Sequence, residues 1–175
     1  RVNCGIIYIM NYFETFKIDT ETNFTDQDLN PEMIEWVDKE SHRIASGILA
    51  GGYKNKNSLS GKPRTYEEIK RDATYGVIAE AYFIQYHSYT NNRKKWHDVI
   101  TPEGVEVEVK TYNGNSIKTR FNQILKLENR KTKYKHVIMF KRLDGNYTFD
   151  SYWQHNYDKE IYEEVKWQDL THTEK

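Results

Sequence analysis

Strict alternation of apolar and polar residues along residues 105–110 is the clearest pattern in the chain. The odd positions are all valines, whereas the even positions are Glu106, Glu108 and Lys110. This alternation is typical of a half-buried β-strand that packs through one face and exposes the other. The ordinary interpretation is therefore a solvated strand surface, for which glutamate and lysine are common residues.

The residues in front of this strand have the chemistry of a tight turn. Residues 101–104 read Thr-Pro-Glu-Gly, in which proline fixes φ for a type I turn and glycine accepts a left-handed φ after it. A three-residue hairpin loop of this kind would pair Thr101 with Val105. The resulting register places Val99 opposite Val107, Ile100 opposite Glu106 and Asp98 opposite Glu108.

This predicted hairpin brings the carboxylates of Asp98 and Glu108 to one position. Directly opposed side chains on an antiparallel pair have Cβ atoms roughly 4.5–5.5 Å apart, so two carboxylates there would repel each other. A divalent cation with oxygen ligands removes the conflict. Together with the nearby Lys110, the pair is a candidate site for binding a metal and aiming a water molecule at a phosphodiester.

Start signals locate two of the predicted helices. Asn30 before Pro31 combines an N-cap residue with a proline at the first helical position. Thr65 with Glu68 forms a capping box. Helices are predicted over 31–49, 65–87 and 119–130, strands over 135–140 and 147–153, and a short helix in the charged tail 155–175.

Glu80 interrupts the apolar face of the second predicted helix. Its neighbours on that face are Ile69, Ala73, Gly76, Val77, Phe83 and Ile84. A buried carboxylate costs free energy unless it is paired. Two interpretations stay open: Glu80 pairs with a lysine or lies at the edge of the face, or it points toward the Asp98 site.

Charge is unevenly placed, although the formal net charge of the 175 residues is zero. Between residues 117 and 142, Glu128 is the only acid among many lysines and arginines, whereas 14–40 and 150–164 are acidic. A basic stretch of this kind favours a nucleic-acid surface. A lysine-rich solvated face is the ordinary alternative.

Cysteine content and hydropathy narrow the class of protein. Cys4 is the only cysteine, which excludes a disulfide framework or a zinc–thiolate cluster within the chain. No apolar run approaches the length of a membrane span. We therefore expect a cytoplasmic protein of a bacterial or phage type, with no membrane partner.

The order of the candidate residues resembles the PD-(D/E)xK nuclease superfamily, the restriction-endonuclease-like proteins. A helix with Glu80 precedes a strand with Asp98 and a strand with residues 108–110, Glu-Val-Lys. A helix with Gln123 and a further strand follow. The resemblance spans about 65–140, and His97 stands where the family name has proline.

The resemblance implies a fold and a domain organisation. The fold would be α/β (α+β), a restriction-endonuclease-like core with a central mixed β-sheet flanked by helices and an N-terminal helical extension. Residues 1–64 would form that extension, packed on the core or recognising DNA. Residues 65–153 would form the nuclease core and 154–175 a charged tail, all within one compact unit.

The resemblance also implies roles for individual residues. Asp98, Glu108 and the carbonyl of Val109 would hold Mg²⁺, for which Mn²⁺ would substitute, and Glu80 would be a further ligand. Lys110 would orient or activate the attacking water. Gln123 and a set of basic residues would meet the nucleic-acid backbone: Lys118, Arg120, Lys126, Arg130, Lys131, Lys133 and Lys135.

The implied activity is Mg²⁺-dependent hydrolysis of DNA phosphodiester bonds by an endonuclease. Site-specific cleavage of double-stranded DNA by a homodimer is the leading form of this hypothesis. A structure-specific nuclease of the same fold, such as a junction resolvase or an exonuclease, is the alternative enzyme. A non-catalytic nucleic-acid-binding module and a metal-free structural protein also remain open, as does the choice between DNA and RNA.

Overall fold

The structure is a computed structural model that describes residues 16–51, 61–91 and 98–166. Within these ranges the fold is mixed α+β, with a curled mixed sheet flanked by helices. The expectation of a central mixed sheet between helices is confirmed at this level.

Seven strands and three α-helices make up the described fold. The strands are β1 (Asn23–Phe24), β2 (Thr90–Asn91), β3 (Val99–Ile100), β4 (Glu106–Asn113), β5 (His136–Leu143), β6 (Asn146–Asn156) and β7 (Ile161–Val165). The helices are α1 (Pro31–Ala50), α2 (Tyr66–His87) and α3 (Ile117–Glu128), and a 3₁₀ turn spans Asp26–Asp28.

The sheet runs in the order β2-β3-β4-β5-β6, and β1 and β7 pair with β6 at the far side. β4 and β5 are parallel, whereas the other neighbouring strands are antiparallel. A parallel pair needs a crossover connection, and α3 supplies it between β4 and β5. The parallel pair therefore lies near the middle of the sheet, beside the short strand β3.

Two hydrophobic cores lie on opposite faces of the sheet. The core under α1 and α2 takes Val107 and Val109 from β4, whereas the core under α3 takes Tyr112 from the same strand. Because successive side chains of a strand alternate between faces, Glu108 and Lys110 share the α3 face with Tyr112. The valine alternation in the sequence thus separates a packed face from a face that carries charged groups.

Helix caps and one hydrogen bond between helices fix the N-terminal part of the described fold. The Asn30 side chain accepts the Met33 N–H at 2.8 Å, and the Gln85 side chain of α2 accepts the Asn30 N–H at 2.8 Å. Thr65 and Glu68 form the predicted capping box at the start of α2. The described part of the N-terminal extension is joined to the rest, since α1 packs along α2 and β1 pairs with β6.

Three features differ from the sequence prediction. The short helix predicted in the tail is wrong where the chain is described, because Ile161–Val165 forms β7, in which Tyr162 is buried between exposed neighbours. Helix α3 begins at Ile117, two residues early, since the Ser116 side chain accepts the Thr119 N–H at 3.3 Å. The two-residue strands β1 and β2 are too short to show a periodic pattern.

Arg120 joins α3 to the far strands of the sheet. Its guanidinium donates to Asp150 on β6 at 2.7 Å and to Glu164 on β7 at 2.6 Å. It also lies 5.2 Å from the centre of the Trp153 ring. Asp150 accepts a further hydrogen bond from the Tyr112 hydroxyl at 2.7 Å. This arrangement holds the Arg120 side chain inside the protein, away from the basic surface to which the sequence assigned it.

Replacing Arg120 with alanine is expected to destabilise the fold by about 3 kcal/mol, because it leaves two largely buried carboxylates without their cation. Urea unfolding followed by circular dichroism would measure the loss. Lys118→Ala, on an exposed position of the same helix, should change stability by less than about 0.5 kcal/mol. Equal effects of the two substitutions would contradict a stabilising role for the Arg120 network.

Candidate active site

The predicted hairpin is present with the predicted register. The Thr101 N–H donates to the Val105 carbonyl, and the Gly104 N–H donates to the Thr101 carbonyl, both at 2.9 Å. Gly104 has a φ of +86°, as the turn requires. Val99 pairs with Val107 and Ile100 with Glu106, which confirms the register derived from the turn residues.

Asp98 lies directly before β3 and is fixed by a main-chain hydrogen bond. Its Oδ2 accepts the N–H of Val109 at 3.0 Å. This bond extends the contact between the two arms of the hairpin by one position, with a side chain in place of a main-chain carbonyl. It holds the Asp98 carboxylate against β4, beside Glu108.

Glu108 is almost completely buried and only partly satisfied. Its Oε1 lies 2.8 Å from the Nζ of Lys110 and 3.9 Å from a guanidinium nitrogen of Arg130. Its Oε2 is buried and has no hydrogen-bond partner among the described residues. A carboxylate oxygen in this position carries a desolvation cost of about 1–3 kcal/mol or more, which a hydrogen-bond donor or a cation would offset.

Among the described residues, β3 pairs with only the first two residues of β4, so the edge of β4 beyond the hairpin (the open edge) has no described strand beside it. The Gly114 N–H donates to the Arg142 carbonyl of β5, so the even-numbered residues of β4 direct their main-chain groups toward β5. The odd-numbered residues direct theirs the other way. The carbonyl of Val109 therefore faces the open edge, on the same side as the Asp98 carboxylate.

Glu80 approaches the same place from α2. Its carboxylate is buried, and the side-chain amide of Asn91 donates to it at 3.4 Å. The same amide donates to the carbonyl of Asp98 at 3.3 Å. Asn91 thus joins the α2 carboxylate to the hairpin. Among the described residues Glu80 forms no ion pair with a lysine, and its carboxylate is buried rather than exposed at the edge of the helix face.

Burial and mutual repulsion perturb the carboxylates. Burial, followed by the charges of Asp98 and Glu108, raises the pKa of Glu80 well above its usual value. Burial and the Glu108 charge raise the pKa of Asp98 to about 7. Burial is the larger cause of both pKa shifts, and repulsion among the carboxylates adds to it, because the cations of Lys110 and Arg130 offset only part of that repulsion.

Lys110 is the cation at the centre of the site. Burial alone would lower its pKa, but the charges of Glu108 and Asp98 outweigh that effect and raise the pKa. The side chain is therefore a fixed ammonium that donates to Glu108. A fixed ammonium beside oxygen ligands can stabilise negative charge that develops on a phosphoryl group.

A cleft of about 740 Å³ opens beside these residues. Its walls come from α2, from the open edge of β4 and from α3, and they include Glu80, Asp98 and Lys110. Gln123 and Lys126 of α3 also line the cleft, so α3 brings its predicted glutamine to the carboxylates. Gly76 faces Thr111 across the cleft, where an added Cβ would lie 3.9 Å from the threonine hydroxyl.

The basic residues predicted to bind DNA differ in their exposure and in their partners. Lys118, Lys126, Lys131 and Lys135 are exposed. Lys133 is half-buried and donates to the Glu128 carbonyl, while Arg120 is held by its two acids. Arg130 lies near Glu108 and donates to the Tyr134 hydroxyl at 3.1 Å. The structure thus brings Arg130 and Lys126 to the site and leaves the other exposed lysines on the surface.

Two residues near the carboxylates were missed by the sequence reasoning. Asn91 lies on a two-residue strand that no periodic pattern reveals. Glu40 is buried on α1, pairs with Arg43 at 2.5 Å and adds to the negative charge felt by Glu80. The sequence did contain one signal for Glu40, because it is an acidic residue on the apolar side of the predicted helix α1.

The donor atoms fit a hard divalent cation, since carboxylate and carbonyl oxygens are the ligands that Mg²⁺ and Mn²⁺ prefer. As placed, no three acidic, histidine or cysteine side chains among the described residues converge closely enough to hold an ion by themselves. The reason is local: Glu108 turns one oxygen to Lys110, and Asp98 turns one to the Val109 N–H. A cation would compete with these donors, and the Val109 carbonyl would complete its ligands.

Comparison with known proteins adds no relative. No protein-family model matches the chain, and no curated protein matches it at a significant level. Within the described ranges, no helix has both the length and the apolar content needed to cross a membrane. The functional interpretation of the site therefore rests on its own geometry.

The raised carboxyl pKa values predict a specific dependence of stability on pH. A carboxyl whose pKa is higher in the folded state stabilises the fold below the unfolded value of about 4. That stability is lost as the pH rises through the folded pKa. In chelator, stability should therefore fall between about pH 4 and about pH 8, and Glu80→Gln should flatten the fall and raise stability at the upper end.

Thermal or urea unfolding at a series of pH values, with metal removed, measures this effect. Glu103→Gln is the matched control, because Glu103 is an exposed residue of the hairpin turn. A Glu80→Gln curve that runs parallel to the wild-type curve would show that Glu80 does not feel the other carboxylates.

Proposed function

We propose that the chain is a metal-dependent nuclease of the PD-(D/E)xK type, which hydrolyses DNA phosphodiester bonds. The observation that carries this proposal is the meeting of Asp98, Glu108 and Lys110 at the open edge of β4, where a buried Glu108 oxygen has no partner among the described residues. Charged groups are rarely buried in this way unless they are paired or coordinate metals.

The order of elements around the site supports the same assignment. Helix α2 supplies Glu80, the hairpin supplies Asp98 and Glu108, and α3 supplies Gln123 before the parallel strand β5. This order of helix, two strands, helix and strand is the one on which the sequence resemblance rests. A restriction-endonuclease-like core is accordingly the fold that we propose for residues 65–153.

The residues would divide the chemistry among them. Asp98, Glu108 and the Val109 carbonyl would hold Mg²⁺ or Mn²⁺, with Glu80 as a further ligand. When bound, such an ion polarises a phosphoryl oxygen and lowers the pKa of a bound water. Lys110 would donate to the attacking water or to the reacting phosphate once its contact with Glu108 is released, and it would stabilise developing negative charge there.

The proposed DNA surface is narrower than the basic stretch of the sequence. Lys126 and Gln123 line the cleft, and Lys118, Lys131 and Lys135 are exposed, as contact with a phosphate requires. Phosphate contacts of this kind position a duplex without reading its sequence. Arg120 is excluded from this surface because its guanidinium is held by Asp150 and Glu164.

A homodimer would allow cleavage of both strands of the DNA. One cleft holds one set of carboxylates, so cleavage of both strands at a site is simplest with two copies related by a two-fold axis. A junction resolvase or an exonuclease of the same fold would use the same centre on a different substrate. Supercoiled plasmid, linear duplex, single strands and a four-way junction, each tested in Mg²⁺, would distinguish these forms by the products.

Asp98→Asn, Glu108→Gln and Lys110→Met are each expected to reduce Mg²⁺-dependent cleavage of these substrates by about a hundredfold or more. Each substitution keeps the approximate shape of the side chain while removing a ligand charge or the ammonium. Glu106→Gln is the matched control, since it lies on the same strand two residues before Glu108. Cleavage by Glu108→Gln at the wild-type rate, with the fold intact, would contradict the assignment.

A further inference from the structure

Arg142 lies beside the end of the cleft away from the carboxylates. Its guanidinium carbon is 3.7 Å from the centre of the Tyr75 ring and 5.9 Å from that of Tyr147. One terminal nitrogen donates to the Asn113 side chain at 3.5 Å. Tyr75 and Asn113 both line the cleft, so the groups that hold the guanidinium are part of the cleft wall.

The aromatic support for Arg142 is itself fixed. The Tyr147 hydroxyl donates to the main-chain carbonyl of Tyr75 at 2.7 Å, which ties β6 to α2 next to the guanidinium. An arginine stacked on rings in this way has lost rotamer freedom before any ligand arrives. Less conformational entropy then remains to be lost when the guanidinium forms further hydrogen bonds.

The charge of Arg142 is not neutralised by an acid in the described part of the protein. Its polar contacts there are with the Asn113 amide and the two tyrosines, and its Nε is buried with no hydrogen-bond partner. Arg120, by contrast, has two carboxylate partners. A stacked guanidinium without an acidic partner is suited to binding an anion, since its planar fork matches phosphate oxygens.

The strand register gives the distance from the catalytic residues. Lys110 pairs with Met139 and Asn113 with Arg142 on the parallel strands β4 and β5. Three residues along a strand correspond to about 10 Å. Successive phosphates of one DNA strand rise ~3.4 Å along the duplex axis and lie farther apart along the strand itself, so a strand that passes both places would put a phosphate within a few nucleotides of the scissile one near Arg142.

A packing role is the competing explanation for the stacked arginine. Arginine side chains often cover tyrosine rings, and such a contact stabilises a protein modestly at exposed sites. A packing role alone explains neither a buried Nε without a partner nor the position of its supports in the cleft wall. It also predicts no effect of Arg142 on affinity for a polyanion beyond that of any other surface cation.

We propose that Arg142, held by Tyr75, Tyr147 and Asn113, binds a backbone phosphate of the nucleic-acid strand within a few nucleotides of the scissile bond. This inference rests on the proposed nuclease function for the identity of the ligand. It adds a direction for the bound strand, which would run through the cleft from Asp98 toward Asn113. The phosphate contact sets the register of the strand on the carboxylates.

Binding of a short fluorescein-labelled duplex, measured by fluorescence anisotropy in Ca²⁺ at several salt concentrations, tests the phosphate contact. Arg142→Gln should weaken binding by about tenfold and should reduce the slope of log K against log salt by about one. Lys141→Gln removes the same charge from the adjacent residue, whose side chain faces the opposite side of the sheet. It should have a much smaller effect.

A phosphate scan locates the contact and protects the test against a misfolded variant. Duplexes that each carry one neutral methylphosphonate should show a single position at which the wild type loses affinity and Arg142→Gln does not. Tyr75→Leu keeps the charge of Arg142 but removes its support. Neutralising that same phosphate should therefore cost this variant less affinity than it costs the wild type. Circular dichroism verifies the fold of each variant.

The outcomes separate this inference from the proposed nuclease function. Equal affinity and equal salt slope for wild type and Arg142→Gln would overturn the phosphate contact, even where Mg²⁺-dependent cleavage is present. A scan in which Arg142→Gln stays sensitive at every position would do the same. Loss of the contact in Arg142→Gln, in a protein that cleaves no substrate, would support the binding site and remove the nuclease assignment.

Discussion

Repulsion among the buried carboxylates of Asp98, Glu108 and Glu80 is the constraint on which the rest of the site depends. Folding brings these groups together because the hairpin register, the packing of α2 and the Asn91 bridge leave them no other position. One ammonium, that of Lys110, offsets only part of the charge. The apoprotein therefore holds an electrostatic cost that a divalent cation with oxygen ligands would remove, and the proposed activity uses that cation.

The sheet makes such a site possible by ending β3 early. The parallel pair β4 and β5 is fixed by the crossover through α3, but no strand in the described part of the chain pairs with the outer edge of β4 beyond the hairpin. Main-chain groups of Val109 and the residues after it face this edge, next to the cleft between α2 and α3. The charged face of β4 thus meets its open edge at one place, and Tyr75 and Asn113, which hold Arg142, line the other end of the same cleft.

The features that depend on residues close together in the sequence were predicted correctly. The turn residues from Thr101 to Gly104 determined the hairpin register, and Thr65 with Glu68 located the start of α2, because these signals act within a few residues. The contacts of Asn91, Glu40 and Arg120 could not be predicted, since each depends on packing between distant elements. Within the described part of the tail, the short predicted helix was wrong for the same reason: pairing with β6 makes Ile161–Val165 a strand.

A crystal structure of the protein grown with Mn²⁺, with the ion located by its anomalous scattering, tests the central claim most directly. The account predicts one Mn²⁺ bound by the carboxylates of Asp98 and Glu108 and by the Val109 carbonyl, with the second oxygen of Glu108 now engaged. An empty position there at saturating Mn²⁺, with the Lys110–Glu108 contact unchanged, would contradict it.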